Sequence, residues 1–198
     1  MIIDKEKYKL EDSNYYNHVY EKTQIVIGHN SRKDMRHVDG WSRRDFGEYK
    51  KTASYSIDRD GKVYQHFDPK YYSDFVGHEQ DKCSISICLV NVGWLKYNDF
   101  LKNYTDWLGH TYSSKNKLIK KSWRNKDFWF PYTKKQEVSL LKLLDKLCED
   151  FNVERDFIGN NVYNENTDIY KGIVFRSNYD IKLTDVSPAF NMDTLKTI

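Results

Sequence analysis

This chain is short of the features that disulfide frameworks, membrane spans and local metal motifs require. It has three cysteines, Cys83, Cys88 and Cys148. An odd count without motif spacing excludes a disulfide framework. Cys88 falls in an apolar run and Cys148 on an apolar helical stripe, so both read as reduced core residues. No apolar run approaches the roughly 20 residues that span a bilayer. The opening segment Met1-Ile2-Ile3-Asp4-Lys5-Glu6-Lys7 has no long apolar stretch and no small-residue cleavage site. A secretory signal is therefore not expected, and a cytoplasmic location is, with release by a holin-type route if the chain is phage-encoded. The six histidines, His18, His29, His37, His66, His78 and His110, form no H-x-x-x-H or H-x-H pair. A formal charge of +3 is too small by itself to imply nucleic-acid binding.

What is present is an ordinary globular composition. The 198 residues, 39% hydrophobic and 31% charged, predict one soluble domain large enough to bury a full core. The β-branched run Gln24 to Ile27 predicts a central strand ending at Gly28-His29. Thr52 to Asp58 alternates, Arg59-Asp60-Gly61 turns, and Lys62 to Phe67 returns, which predicts a hairpin. Ser84 to Val92 is nearly continuous apolar, as in a strand covered on both faces.

Thr133-Lys134-Lys135-Gln136 has capping-box spacing and predicts a helix start. Val138, Leu141, Leu144, Cys148 and Phe151 then recur as one apolar stripe. Phe157-Ile158-Gly159 reads as a further short strand and Met192 to Ile198 as a last helical turn. The prediction is a mixed α/β domain, a central sheet flanked by helices. It spans 23–198 behind an N-terminal extension, 1–22, that packs on it.

Two basic segments stand apart. One is the loop Arg32 to Arg44. The other is an insertion at 94–132, rich in Trp, Tyr and Lys, with Lys115, Lys117, Lys120, Lys121, Arg124 and Lys126. A connection that long inside a compact domain is functional or disordered, and its aromatic content favours order.

The tail Thr184-Asp185-Val186-Ser187-Pro188-Ala189-Phe190 resembles the T-D-P-G-P-A-F signature of zinc-dependent N-acetylmuramoyl-L-alanine amidases of the T7-lysozyme and peptidoglycan-recognition-protein superfamily. Thr23 to His29 resembles the strand that carries that family's first zinc histidine. Ala53 to Gln65 resembles its S-A-H-Y-V-I-D-R-D-G-x-I-Y-Q hairpin. Ser84 to Gly93 resembles S-I-G-I-E-L-V-N-A-G, and Tyr132-Thr133 with Gln136 the Y-T-x-x-Q helix start. Phe157-Ile158-Gly159-Asn160 resembles V-I/V-G-H. The segments keep the family's order and spacing, so the resemblance implies its fold.

The resemblance also implies a zinc held by two His and one Asp or Cys, activating a water beside a Glu or a Tyr–Lys pair. Here Asp185 matches the acidic ligand, but Gly28 stands at the first His and Asn160 at the second. A one-residue slip would recruit His29 to the first position. Cys88 stands at the Glu position, Ala53 and Leu183 at the Tyr and Lys positions, and Ser54 and Val76 where further histidines belong. A neutral amide is a poor zinc ligand.

The resulting expectation is a catalytically inactive member of that family with no cofactor. It would bind a ligand or partner in a groove formed by His29, Arg32, Arg36, Arg43, Ser54, Lys120, Lys121, Arg124, Asn160 and Asp185. Basic residues mixed with Tyr and Trp suit an anionic ligand with flat rings, nucleotide-like or muropeptide-like. The resemblance offers two precedents: some peptidoglycan-recognition proteins bind muropeptides without metal, and the phage lysozyme of the superfamily also binds a polymerase. A phage-borne inhibitor or sequestering protein fits this expectation. The alternative is an active endolysin-type amidase whose zinc rests on His29, Asp185 and an unconventional third ligand.

Overall fold

The computed structural model describes residues 1–198, with the side chains of Ser114 and Thr197 left out. In chain order it contains β1 (Ile3–Asp4), β2 (Gln24–His29), α1 (His37–Arg43), β3 (Tyr55–Ile57), β4 (Val63–Gln65), β5 (Ser84–Leu89), β6 (Trp94–Asn98), β7 (Asn103–Thr105), β8 (Thr111–Tyr112), β9 (Ile119–Trp123), β10 (Lys126–Trp129), α2 (Lys134–Phe151) and β11 (Gly172–Phe175), and short 3₁₀ turns that include Met192–Thr197. Six strands form the central sheet in the order β1-β4-β3-β5-β2-β11. β2 lies parallel to both β5 and β11, and β3 lies parallel to β5 and antiparallel to β4.

Every residue of β2, β5 and β11 is buried. This is the burial expected of parallel strands covered on both faces, and it accounts for their predominantly apolar sequence. Alternation along the strands divides the core in two. Ile25, Ile27, Ile85, Ile87, Ile173 and Phe175 pack with Leu140, Leu143, Leu144 and Leu147 of α2. Val26, Cys88 and Val174 face the other way, onto Met35, Val38, Trp41 and Phe75. The N-terminal segment covers that second layer: Tyr15 stacks on Phe67 and Tyr71, and β1 pairs with β4.

The helix begins as its capping box predicts. The Thr133 hydroxyl accepts from the Gln136 backbone N–H at 3.1 Å, and the Gln136 side-chain oxygen accepts from the Thr133 N–H at 3.2 Å. Gln136 also donates its amide to the carbonyls of Ile57 and Val90, at 3.2 and 2.9 Å, and so ties the first turn of α2 to the sheet. The buried stripe is rotated from the one expected. Leu140, Leu143 and Leu147 face the sheet with Leu144 and Cys148, while Val138 is exposed. Leucines sit on several sides of this helix, and the sheet covers Leu140, Leu143, Leu144 and Leu147 together with Cys148.

One expectation is corrected here. Phe157 makes only an isolated bridge to Ile173 rather than belonging to a strand, and the sheet edge is taken by β11 instead. The insertion folds as a second, five-stranded antiparallel sheet, β8-β7-β6-β10-β9. Its β9–β10 turn places Arg124 and Asn125 at φ +50° and +59°, as a tight hairpin of matching twist demands. Aromatic rings hold this sheet together: Trp129 is fully buried and donates its indole N–H to the Lys121 carbonyl at 2.7 Å, and Tyr104 packs edge-on to Phe128. No helix among the described residues is long and apolar enough to cross a membrane.

Replacing Gln136 by Leu would leave two buried carbonyls and the Thr133 N–H without this partner, at a cost of about 2–3 kcal/mol. Urea unfolding of Q136L should show a lower midpoint at unchanged m-value. A midpoint equal to the parent would show that the amide is not what fastens α2.

Candidate functional site

Three parallel strands end side by side at one edge of the central sheet, and a groove of about 600 Å³ opens over those ends. Ligands of open α/β sheets commonly sit beyond the carboxyl ends of the strands. β2 delivers Gly28 and His29, β5 delivers Cys88 opposite Gly28, and β11 delivers Arg176 immediately after Phe175. Asp185 arrives on the chain that follows.

The groove floor is an ion pair. Arg176 Nη1 lies 3.0 Å from Asp185 Oδ2, and both side chains are largely buried. The same carboxylate oxygen accepts the backbone N–H of His29 at 3.1 Å. The Arg176 guanidinium also rests 4.7 Å from the Phe75 ring centre, and its buried Nε finds no acceptor among the described residues.

Gly28 makes this arrangement sterically allowed. A β-carbon there would lie 2.4 Å from Arg176 Cδ, 2.6 Å from Asp185 Oδ2 and 2.9 Å from Phe75 Cζ. The direction in which a first zinc histidine would project is therefore filled by the arginine. His29 points to the opposite face of the strand. Its Nδ1 lies 2.9 Å from the Tyr132 hydroxyl, and its Nε2 packs against Gly93, where a β-carbon would approach to 2.8 Å. The ring of His29 thus cannot join Asp185 on a metal in this arrangement, and only its main chain reaches the groove floor. Among the described residues no group of three His, Cys, Asp or Glu side chains is placed to hold a metal ion. The donor set does not fit the zinc that the resemblance implies.

The walls are cationic and aromatic. Arg32, Arg36, Arg44, Lys51 and Lys182 line the groove with Arg176, against only two carboxylates, Asp74 and Asp185. Asp74 already accepts the Tyr16 hydroxyl at 3.0 Å. Arg36 is paired with Asp34 at 2.8 Å. Arg32 lies 4.5 Å from the Trp107 ring centre, and Arg44 5.2 Å from that of Tyr49. Trp107 is fixed by its indole N–H, which donates to the Ser31 carbonyl at 3.1 Å.

Behind the walls lies a buried relay. Asn30 donates to His37 Nδ1 at 2.6 Å, leaving His37 Nε2–H to meet Ser56 Oγ at 3.3 Å. Ser56 in turn donates to His66 Nε2 at 2.8 Å, and His66 Nδ1–H donates to the Tyr8 carbonyl at 2.8 Å. Burial, and for His37 the neighbouring His66, lowers the ring pKa values to about 3 for His37 and about 4 for His66. Burial likewise lowers His29 to about 4, so all three are neutral at pH 7. Burial pushes the Cys88 thiol far up, so it is protonated and unsuited to nucleophilic work.

Of the residues expected in the groove, the structure brings together His29, Arg32, Arg36 and Asp185. It places the others elsewhere. Ser54 is buried inside the sheet, with its hydroxyl 3.3 Å from that of Ser86. Arg43 points out from the last turn of α1, and the next residue, Arg44, takes the groove position. Lys120 and Lys121 are exposed on β9, the outer edge of the second sheet.

Arg124 binds protein rather than ligand. It donates to the carbonyls of Ser177, Asp180 and Leu183 and so fastens the insertion to the segment that carries Asp185. Asn160 is exposed and lines a separate shallow depression with Val162 and Tyr163. The strand end facing Asp185 belongs to Arg176, which the sequence reading missed. The available signal was the apolar run Gly172 to Phe175, nine residues ahead of the tail motif.

Two measurements test this geometry. The unfolded histidines titrate near 6.5 while His29, His37 and His66 stay neutral to about pH 4 or below. The unfolded state therefore binds more protons as pH falls through this window. Stability should drop between pH 6.5 and 4 by up to about 1.4 kcal/mol per pH unit for each histidine. Asp81, raised to about 6 by burial, acts with the opposite sign but offsets only one of the three. A flat denaturation midpoint from pH 6.5 to 4.5 would contradict the buried neutral rings. Separately, Arg176→Ala strands the Asp185 carboxylate and should cost about 3 kcal/mol, partly recovered by Arg176→Lys. Equal midpoints for R176A and the parent would show that the pair does not hold the floor.

The comparisons agree with this architecture. The family model described as N-acetylmuramoyl-L-alanine amidase matches residues 19–171. A search of curated proteins finds no match. Among solved structures, the chain is similar to the amidase LysC from Clostridium intestinale URNW (TM-score 0.56, 12% identity, covering 100% of this chain and 96% of that one). It is also similar to the Ph2119 endolysin from Thermus scotoductus MAT2119 bacteriophage Ph2119 (TM-score 0.52, 14% identity, 95% and 96%). A third is peptidoglycan recognition protein-LE in complex with tracheal cytotoxin, a monomeric diaminopimelic acid-type peptidoglycan (TM-score 0.53, 11% identity, 100% and 93%). At these identities the structural likeness carries the fold alone, but the family model spans well over half of the sequence, and the chain belongs to the N-acetylmuramoyl-L-alanine amidase family.

Proposed function

We propose that this chain is a non-catalytic member of its family that holds an anionic ligand in the groove over the ends of β2, β5 and β11. One observation carries the reading: the Arg176 side chain fills the direction in which a histidine at position 28 would project, and its guanidinium is paired with the one acidic residue that matches a family ligand. A guanidinium cannot lower the pKa of a water or polarise a carbonyl as a Lewis acid does. It can hold an anion through directed N–H groups. The surrounding cations outnumber carboxylates six to two, which favours a negatively charged guest over a neutral glycan. A muropeptide, with its carboxylates, is one such guest, and tracheal cytotoxin bound to protein-LE is a precedent on this fold. Binding without turnover would make the chain a sensor or a sequestering protein.

Zinc content and hydrolysis test this directly. Mass spectrometry of unchelated protein should find no stoichiometric zinc, and purified peptidoglycan should remain uncleaved. The double variant Gly28→His, Arg176→His restores two imidazoles beside Asp185 and removes the 2.4 Å obstruction. It should take up about one zinc per chain under the same conditions. A zinc in the parent protein, with release of peptide from peptidoglycan, would overturn the reading.

A further inference from the structure

The groove carries a pattern that a general preference for anions does not require. Three of its arginines each rest on an aromatic ring that also lines the groove: Arg32 on Trp107, Arg44 on Tyr49 and Arg176 on Phe75. A guanidinium lying on a ring is held in orientation by the cation–π contact while its N–H edge stays free for a bidentate acceptor. Arg32 and Arg44 form no ion pair among the described residues, and neither do Lys51 and Lys182. The two groove carboxylates are engaged, Asp185 by Arg176 and Asp74 by Tyr16. His29, whose ring faces away from the groove, and His37, behind its wall, are neutral at pH 7 and add no charge. Four unpaired cations therefore converge on one cavity of about 600 Å³, room for a ligand of a few hundred daltons.

One or two carboxylates would leave most of these cations unmatched. Two linked phosphates bring three or more negative charges on oxygens arranged for bidentate contact. The aromatic content points to the rest of the ligand. Trp107 is half-exposed at the groove rim, with its N–H end anchored to Ser31, and offers a fixed indole on which a planar ring can stack. We infer that the groove binds a nucleotide bearing two or more phosphates. The phosphates would lie among Arg32, Arg44, Lys51 and Lys182, and the base at the Trp107 rim. This deepens the proposed function and rests on the groove being a binding site.

The test is isothermal titration at low salt with ADP, GDP and UDP, alongside inorganic pyrophosphate, adenosine and muramyl dipeptide, with Trp fluorescence read in parallel. At least one nucleoside diphosphate should bind tenfold or more tightly than pyrophosphate or adenosine, with affinity falling steeply as salt rises. Trp107→Ala should weaken the nucleotide at least fivefold while leaving pyrophosphate within about twofold. Arg32→Lys, which keeps charge and fold but loses the planar fork, should weaken both. Thermal melts of each variant confirm that it is folded.

Absence of heat and quenching with all nucleotides and pyrophosphate overturns the inference. Pyrophosphate binding as tightly as the nucleotides also overturns it, because the ring then contributes nothing. Muramyl dipeptide binding alone overturns the nucleotide while leaving the non-catalytic reading intact. Zinc-dependent cleavage of peptidoglycan would remove that reading itself.

Discussion

The contact between Arg176 and Asp185 is the constraint around which the site is organised. It closes the carboxyl end of the sheet, joins the chain after β11 to the main chain of β2 through the His29 N–H, and sets the floor of the groove. A buried carboxylate needs a counter-charge. Here the Arg176 guanidinium provides it. An arginine in that place offers directed donors but no open coordination position. The missing side chain at Gly28 leaves room for the arginine, and the ring of Phe75 lies against the guanidinium.

Much of the scaffold was legible in the sequence, for identifiable physical reasons. β2 and β5 are buried on both faces and so read as apolar runs, and the Asp60-Gly61 turn marked the β3–β4 hairpin. Thr133 and Gln136 marked the start of α2 through a local exchange of hydrogen bonds that needs no tertiary context. The parts that were missed depend on context. β11 is four residues long and lies between polar loops, whereas Phe157-Ile158-Gly159-Asn160 imitates a familiar strand end. That imitation drew the second ligand position to Asn160 and away from Arg176. The strands of the insertion mix Lys, Trp and Tyr, which obscures their alternation, because rings pack on both faces of that small sheet.

The site was legible only in its charge. Asp185, Arg32 and Arg36 lie in the groove, but Arg43 and Arg44 differ by one position at a helix end, and which of them faces inward depends on how α1 docks. Lys51 and Lys182 are far apart in sequence and meet only across the fold. Arg124 reads as one more surface cation, yet it binds three backbone carbonyls. His29 shows the value of strand parity: one step along β2 separates the groove face from the α2 face, and the ring falls on the latter.

The crowding at Gly28 also constrains which substitutions the site accepts. A histidine introduced there first would meet the arginine, and an arginine exchanged first would leave Asp185 without its counter-charge. Each of these changes made alone therefore loses stability. The packing around one glycine thus couples positions 28 and 176: exposed residues of the groove walls can vary one at a time, whereas a change at either of these two needs a matching change at the other.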